Sequence, residues 1–72
     1  MNLLELGNTV KQLRKERGLT QEMLAKKANI SRATLSKLEN GNIAQVSIVT
    51  LNDILNHLGY ELDMKVLNPF IG

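Results

Sequence analysis

The stretch Thr20–Asn40, TQEMLAKKANISRATLSKLEN, sets the architecture. It holds two short amphipathic segments joined by a polar turn. Leu24, Ala25 and Ala28 fall on one face of the first segment, Leu35 and Leu38 on one face of the second. Apolar residues at this spacing predict helices. Ile30 stands between them and is placed to plug the joint. Ala25 is small where the helices would approach most closely. Asn29 occupies the turn, and its short polar side chain tolerates the left-handed backbone that a sharp turn demands. Ser31 is positioned to cap the second helix through its hydroxyl. The pattern suits two short helices crossing steeply over one small core. The outward face of the second helix then carries Arg32, Ala33, Thr34, Ser36 and Lys37, a short basic surface without a carboxylate.

Gln21 opening the first helix, Ala25 at its fifth position, the turn at Asn29, and Leu-x-x-Leu-Glu-Asn-Gly over 35–41 form one combined pattern. This pattern resembles the helix-turn-helix of the lambdoid repressor and Cro family, also called the XRE family. It departs at Asn29, where the family usually has Gly. The resemblance spans roughly Leu3 to Gly59 and implies a mainly α, lambda-repressor-like bundle of four short helices that binds double-stranded DNA. Carried over by position, it implies that Arg32, Ala33 and Lys37 face base edges in the major groove. Arginine and lysine donate to guanine acceptors, and an alanine methyl can contact a thymine methyl. Gln21, Thr34, Ser36 and the backbone near Asn40 would hold phosphates. Gln21 also has a reason of its own, because the free N–H groups of a helix N-terminus favour an anion. In the family, an arginine at the position of Arg14 pairs with the glutamate at the position of Glu39. Such a pair is either buried, tying the first helix to the recognition helix, or a surface pair of little worth.

Seventy-two residues allow one domain, near the size where a single core stabilises only marginally, so a partner is expected. There is no cysteine, which excludes disulfides and thiolate metal sites and fits a cytoplasmic setting. No apolar run reaches membrane-spanning length and no signal peptide is visible. The net charge is only +2, so the case for nucleic acid rests on where the cations sit rather than on their sum.

Around the central stretch the chain reads as further helices. Leu3, Leu6, Val10 and Leu13 recur at helical spacing and predict a first helix over 3–17, stopped by Gly18. Its outer face is read as Lys11, Arg14, Lys15 and Arg17. The two lysines are either solvated cations near a helix C-terminus or phosphate contacts. Leu19 follows as a plug and Thr20 as a cap, with Glu22 in the first turn where an anion suits the dipole. Lys26 and Lys27 read mainly as solvated lysines. Ile48, Leu51, Ile54, Leu55 and Leu58 give a fourth helix, capped by Ser47 and closed by Gly59. His57 reads as a surface residue in its last turn.

After Gly59 the period changes to two: Tyr60, Leu62, Met64 and Val66 alternate with Glu61, Asp63 and Lys65. This predicts a strand, the single strand of the chain, whose unpaired backbone needs a partner. A second copy supplies one. The expected organisation is therefore a DNA-binding domain over 1–59, a C-terminal β-strand over 60–67 pairing antiparallel across a homodimer, and a tail over 68–72. Tyr60, Leu62, Asp63, Met64, Lys65 and Val66 are the expected dimerisation residues. Centring the dyad on Met64 sets Asp63 against Lys65 twice, whereas other centres bring carboxylates together. The tail Asn68–Gly72 is either an end packed on the dimer or frayed, or a docking peptide.

Four helices plus such a strand resemble the HipB-type antitoxins, which repress their own operon and bind a HipA-type kinase toxin. That resemblance implies a toxin as partner. A solitary phage-type or chromosomal repressor, or a protein-interaction module without DNA binding, are the alternatives. Arg32 and Lys37 on the exposed face count against the last. Catalysis is not expected: there is no thiol nucleophile, no glycine-rich phosphate loop and no metal-ligand spacing, and the one histidine shows no orienting carboxylate. No cofactor or metal is expected.

Overall fold

A computed structural model of the chain describes residues 2–42 and 46–60. They form four helices: α1 (Leu3–Glu16), α2 (Gln21–Lys27), α3 (Arg32–Glu39) and α4 (Ile48–His57). The expected strand and its register fall outside the described residues, except for Tyr60, as does the tail.

Each helix starts on a side-chain oxygen. Thr20, Ser31 and Ser47 accept from the backbone N–H groups of Met23, Thr34 and Thr50, at 3.0, 3.0 and 3.1 Å. Asn2 caps α1, and Glu5 returns the bond to make a capping box. Each helix ends the same way. After α2, Asn29 N–H donates to the Lys26 carbonyl and Ile30 N–H to the Ala25 carbonyl, at 3.2 and 2.9 Å. This closure requires a left-handed residue, and Asn29 takes it at φ 56°. After α3, Gly41 and Asn42 donate to Leu38 and Lys37 in the same pattern. At Gly41 a side chain would also crowd the Leu4 backbone, 3.2 Å from an added Cβ.

The core is built from Val10, Leu24, Leu35, Leu38, Ile54 and Leu58, all fully buried, with Ala25, Ala28, Leu51 and Leu55 around them. Ile30, Leu6, Leu13 and Leu19 pack against it. In this order α1 lies on α3, α3 on α2, and α2 on α4. Two residues of the expected stripes are outside the core: Leu3 and Ile48 are 54% and 63% exposed. Both open their helix. A helical side chain covers the turn preceding its own Cα, and at a first position no such turn exists.

Gly7 sits in the middle of α1 and is buried. A Cβ there would collide with the Leu38 carbonyl oxygen and come within 2.9 Å of that of Glu39. Glycine is unfavourable inside a helix. Here it lets the backbone of α1 lie directly against the C-terminal end of α3. Apolar periodicity gives no signal for such a glycine.

Candidate nucleic-acid interface

The position of α3 is set from its buried end. Glu39 closes the helix at 2% exposure, and Arg14 of α1 is 7% exposed. Arg14 does not belong to the outer face of α1, because its guanidinium turns inward. Its Nε donates to Glu39 Oε2 at 2.7 Å and its Nη2 to Glu39 Oε1 at 3.1 Å. Its Nη1 donates to the Leu19 carbonyl at 2.8 Å, just ahead of α2. One side chain thus ties α1, the entry to α2 and the end of α3. The fork geometry matches carboxylate to guanidinium in two parallel bonds. Among the described residues no buried side-chain polar atom lacks a partner.

Gln21 joins this network. Its Nε2 donates to Glu39 Oε1 at 3.1 Å. The carboxylate, engaged by Arg14, only accepts, so the amide nitrogen faces it and the amide oxygen faces away. One N–H of the amide remains for an outside acceptor. A place at the helix N-terminus does not by itself announce the tether to Glu39, which the packing of α2 against α3 creates.

The outward side of α3 is built from the other residues. Arg32, Ala33, Lys37 and Asn40 are exposed, while Thr34 and Ser36 are half-buried. Arg32, Ala33 and Ser36 share one shallow groove with Gln21, so the structure gathers four of the seven expected contact residues. Lys37 and Asn40 lie further along the helix, and Asn40 spends its Nδ2 on the Ser36 carbonyl at 3.0 Å. The Thr34 hydroxyl lies 2.8 Å from that of Ser31 at the helix start. Arg32 and Lys37 make no hydrogen bond or ion pair among the described residues. The surface is therefore a short polar helix face with free cations, beside the N-terminus of a second helix.

A carboxylate borders it after all. Glu22 of α2 lines the grooves on two sides of Arg32. It was invisible in the pattern of α3 because it arrives from another helix.

Two further contacts involve Arg17 and His57. Arg17 donates from Nε to the Leu58 carbonyl at 2.6 Å, at the end of α4, and its guanidinium lies 6.0 Å from the centre of the Tyr60 ring. It thereby joins the ends of α1 and α4, with the favourable placement of a cation at a helix C-terminus. His57 does have a carboxylate at helical spacing: Asp53 Oδ2 lies 3.7 Å from its Nε2. Asp53 stands one turn earlier on the same helix, and both side chains are substantially exposed. This is a surface pair, not a shielded acid–base arrangement. Tyr60 is 52% exposed, while Leu62, Asp63, Met64, Lys65 and Val66 lie outside the described residues. Among the described residues no group of three metal-binding side chains converges, and no helix is long and apolar enough to cross a membrane.

Two capped helices crossing over a shared core, with the second offering a basic polar face, define a helix-turn-helix DNA-binding domain. A family model described as helix-turn-helix matches residues 10–64. The chain belongs to the XRE-type helix-turn-helix family of DNA-binding regulators. It is 43% identical over 62 residues to the antitoxin HipB of Escherichia coli O6:H1, covering 86% of this chain and 63% of that one. It is 39% identical over 63 residues to the immunity repressor protein of Bacillus phage phi105, covering 88% of this chain and 43% of the repressor. Among solved structures, a chain of a HipA–HipB–O2–O3 complex superposes with a TM-score of 0.75 at 32% identity, covering 94% of each chain. A chain of a SinR–SinI complex superposes with a TM-score of 0.70 at 32% identity, covering 78% of this chain and 54% of that one.

Proposed function

We propose that the protein is a sequence-specific transcriptional repressor that grips duplex DNA as a homodimer. The observation that carries this reading is the two-sided construction of α3: Glu39 is locked to Arg14 inside, while Arg32 and Lys37 are exposed outside with no ion-pair partner among the described residues. Arg32, Ala33 and Lys37 read base edges. Gln21, Thr34, Ser36 and Asn40 hold the backbone, Gln21 through the amide N–H that Glu39 leaves free. Dimerisation runs through residues 60–67, with Met64 at the dyad. Two recognition helices then enter successive major grooves, with half-site centres about 34–36 Å apart.

Within this reading the protein acts as a HipB-type antitoxin, repressing its own operon and binding a HipA-type kinase toxin. Its support is the likeness to HipB in sequence and the coverage of 94% of both chains in the HipA–HipB–O2–O3 comparison. A solitary repressor is the second reading, favoured by the identity to the phage immunity repressor.

Selection of bound duplexes from a random library tests the first claim, and the expected outcome is one enriched, two-fold symmetric motif. Enrichment of no sequence over the input would sink it. Light scattering at micromolar protein tests the dimer, with a monomer mass as the adverse result. Co-purification with a co-expressed HipA-type kinase separates the antitoxin from the solitary regulator.

A further inference from the structure

Arg32 stands at the start of α3 between two shallow grooves. One runs toward Gly18, Leu19 and Gln21, the other toward Lys26, Asn29 and Ile30. Glu22 borders both. Glu22 and Arg32 are each exposed, and neither has an ion-pair partner among the described residues. An anion therefore sits beside the cation assigned to base reading, on a surface that must approach a polyanion. Fold stability does not call for that placement: a first-turn carboxylate on a short helix contributes only modestly when exposed. Its cost in DNA affinity is direct, because it repels phosphate.

We propose that Glu22 is a specificity-determining residue of this surface, one that keeps Arg32 from serving as a general phosphate contact. The inference rests on the DNA-binding reading above. Arginine binds phosphate and guanine with the same fork of N–H donors, so an unrestrained guanidinium at the rim takes whichever oxygen is nearer. Glu22 repels phosphate oxygens from the two grooves flanking Arg32 and attracts the guanidinium toward the first turn of α2. On random DNA this lowers affinity. On the preferred site Arg32 reaches its guanine edge in the orientation the carboxylate favours, and the penalty is smaller. The carboxylate thus widens the gap between specific and random binding.

The test is a double-mutant cycle in the full chain, using the selected duplex and a random duplex at two salt concentrations. Glu22→Gln removes the charge and keeps the shape. It is expected to tighten random binding about two- to fivefold, the range of a single exposed charge interaction, and to tighten specific binding less. The specificity ratio falls. With Arg32→Ala in place, Glu22→Gln is expected to shift both duplexes equally and leave the ratio unchanged. An unchanged or higher ratio for Glu22→Gln alone overturns the proposal, and so does an equal fall of the ratio in the Arg32→Ala background. Absence of binding by the unmodified protein to either duplex at low salt instead refutes the DNA-binding reading, and the proposal with it. Thermal melting of each variant controls for folding.

Discussion

The two sides of α3 obey opposite rules. Inward, Leu35, Leu38 and Glu39 are buried, and the one charge among them is met by three donors from two side chains. Outward, Arg32 and Lys37 are exposed and unpaired among the described residues. A helix of eight residues is too short to persist alone, so the inner side must supply its order. The outer side is then free of structural duty and can be chosen for recognition. Stability and specificity therefore sit on different residues of the same short element, and substitutions should separate them.

The largest effect is expected on the inner side. Glu39→Ala leaves the Arg14 guanidinium buried without its carboxylate, and such a loss costs about 3–5 kcal/mol. Urea denaturation reads it, and binding to all DNA should fall with the folded fraction. A change below about 1 kcal/mol would make the pair no better than a surface pair. Gly7→Ala should cost about 1–3 kcal/mol, because the new methyl meets α3 carbonyls that cannot step aside cheaply. Calorimetry distinguishes this from the small gain that alanine brings to an unobstructed helix.

On the outer side, Arg32→Ala should leave the melting temperature nearly unchanged. It should cost about 1–3 kcal/mol on the preferred duplex and relax base choice at one position. Equal losses on preferred and random duplexes would assign Arg32 to the backbone instead. Gln21→Ala bridges the two sides. It should weaken binding to every sequence alike by about 0.5–1.5 kcal/mol, the worth of one hydrogen bond. Ser31→Ala removes a cap rather than a contact, and about 1 kcal/mol of stability should go with it.

Much of this arrangement was legible from residue order. The three caps at Thr20, Ser31 and Ser47, the left-handed turn at Asn29 and the glycine stops depend on neighbours within one turn. Local chemistry suffices to read them. The apolar spacing of α2 and α3 likewise announced which face turns inward. The pairing of Arg14 with Glu39 was available only through likeness to a family, since the two residues stand far apart in the chain. Of the buried and surface alternatives for that pair, packing decides for the buried one, and it adds a third donor, Gln21, that residue order does not announce. Glu22 beside Arg32, Gly7 under the α3 carbonyls and Arg17 across the end of α4 belong to the same class. Each is a juxtaposition across helices, and helical periodicity is silent about which turn of one helix meets which turn of another.

Residue order, then, was enough to specify where helices start and stop, which side of each is apolar, and which family the chain resembles, because those properties are set by short-range backbone and capping chemistry. Packing in three dimensions was needed to turn Arg14 inward, to expose Leu3 and Ile48, and to bring a carboxylate of α2 near the exposed Arg32 of α3. The reason is that burial and electrostatic neighbourhood are properties of the space between elements, and crossing helices create that space only once they have met.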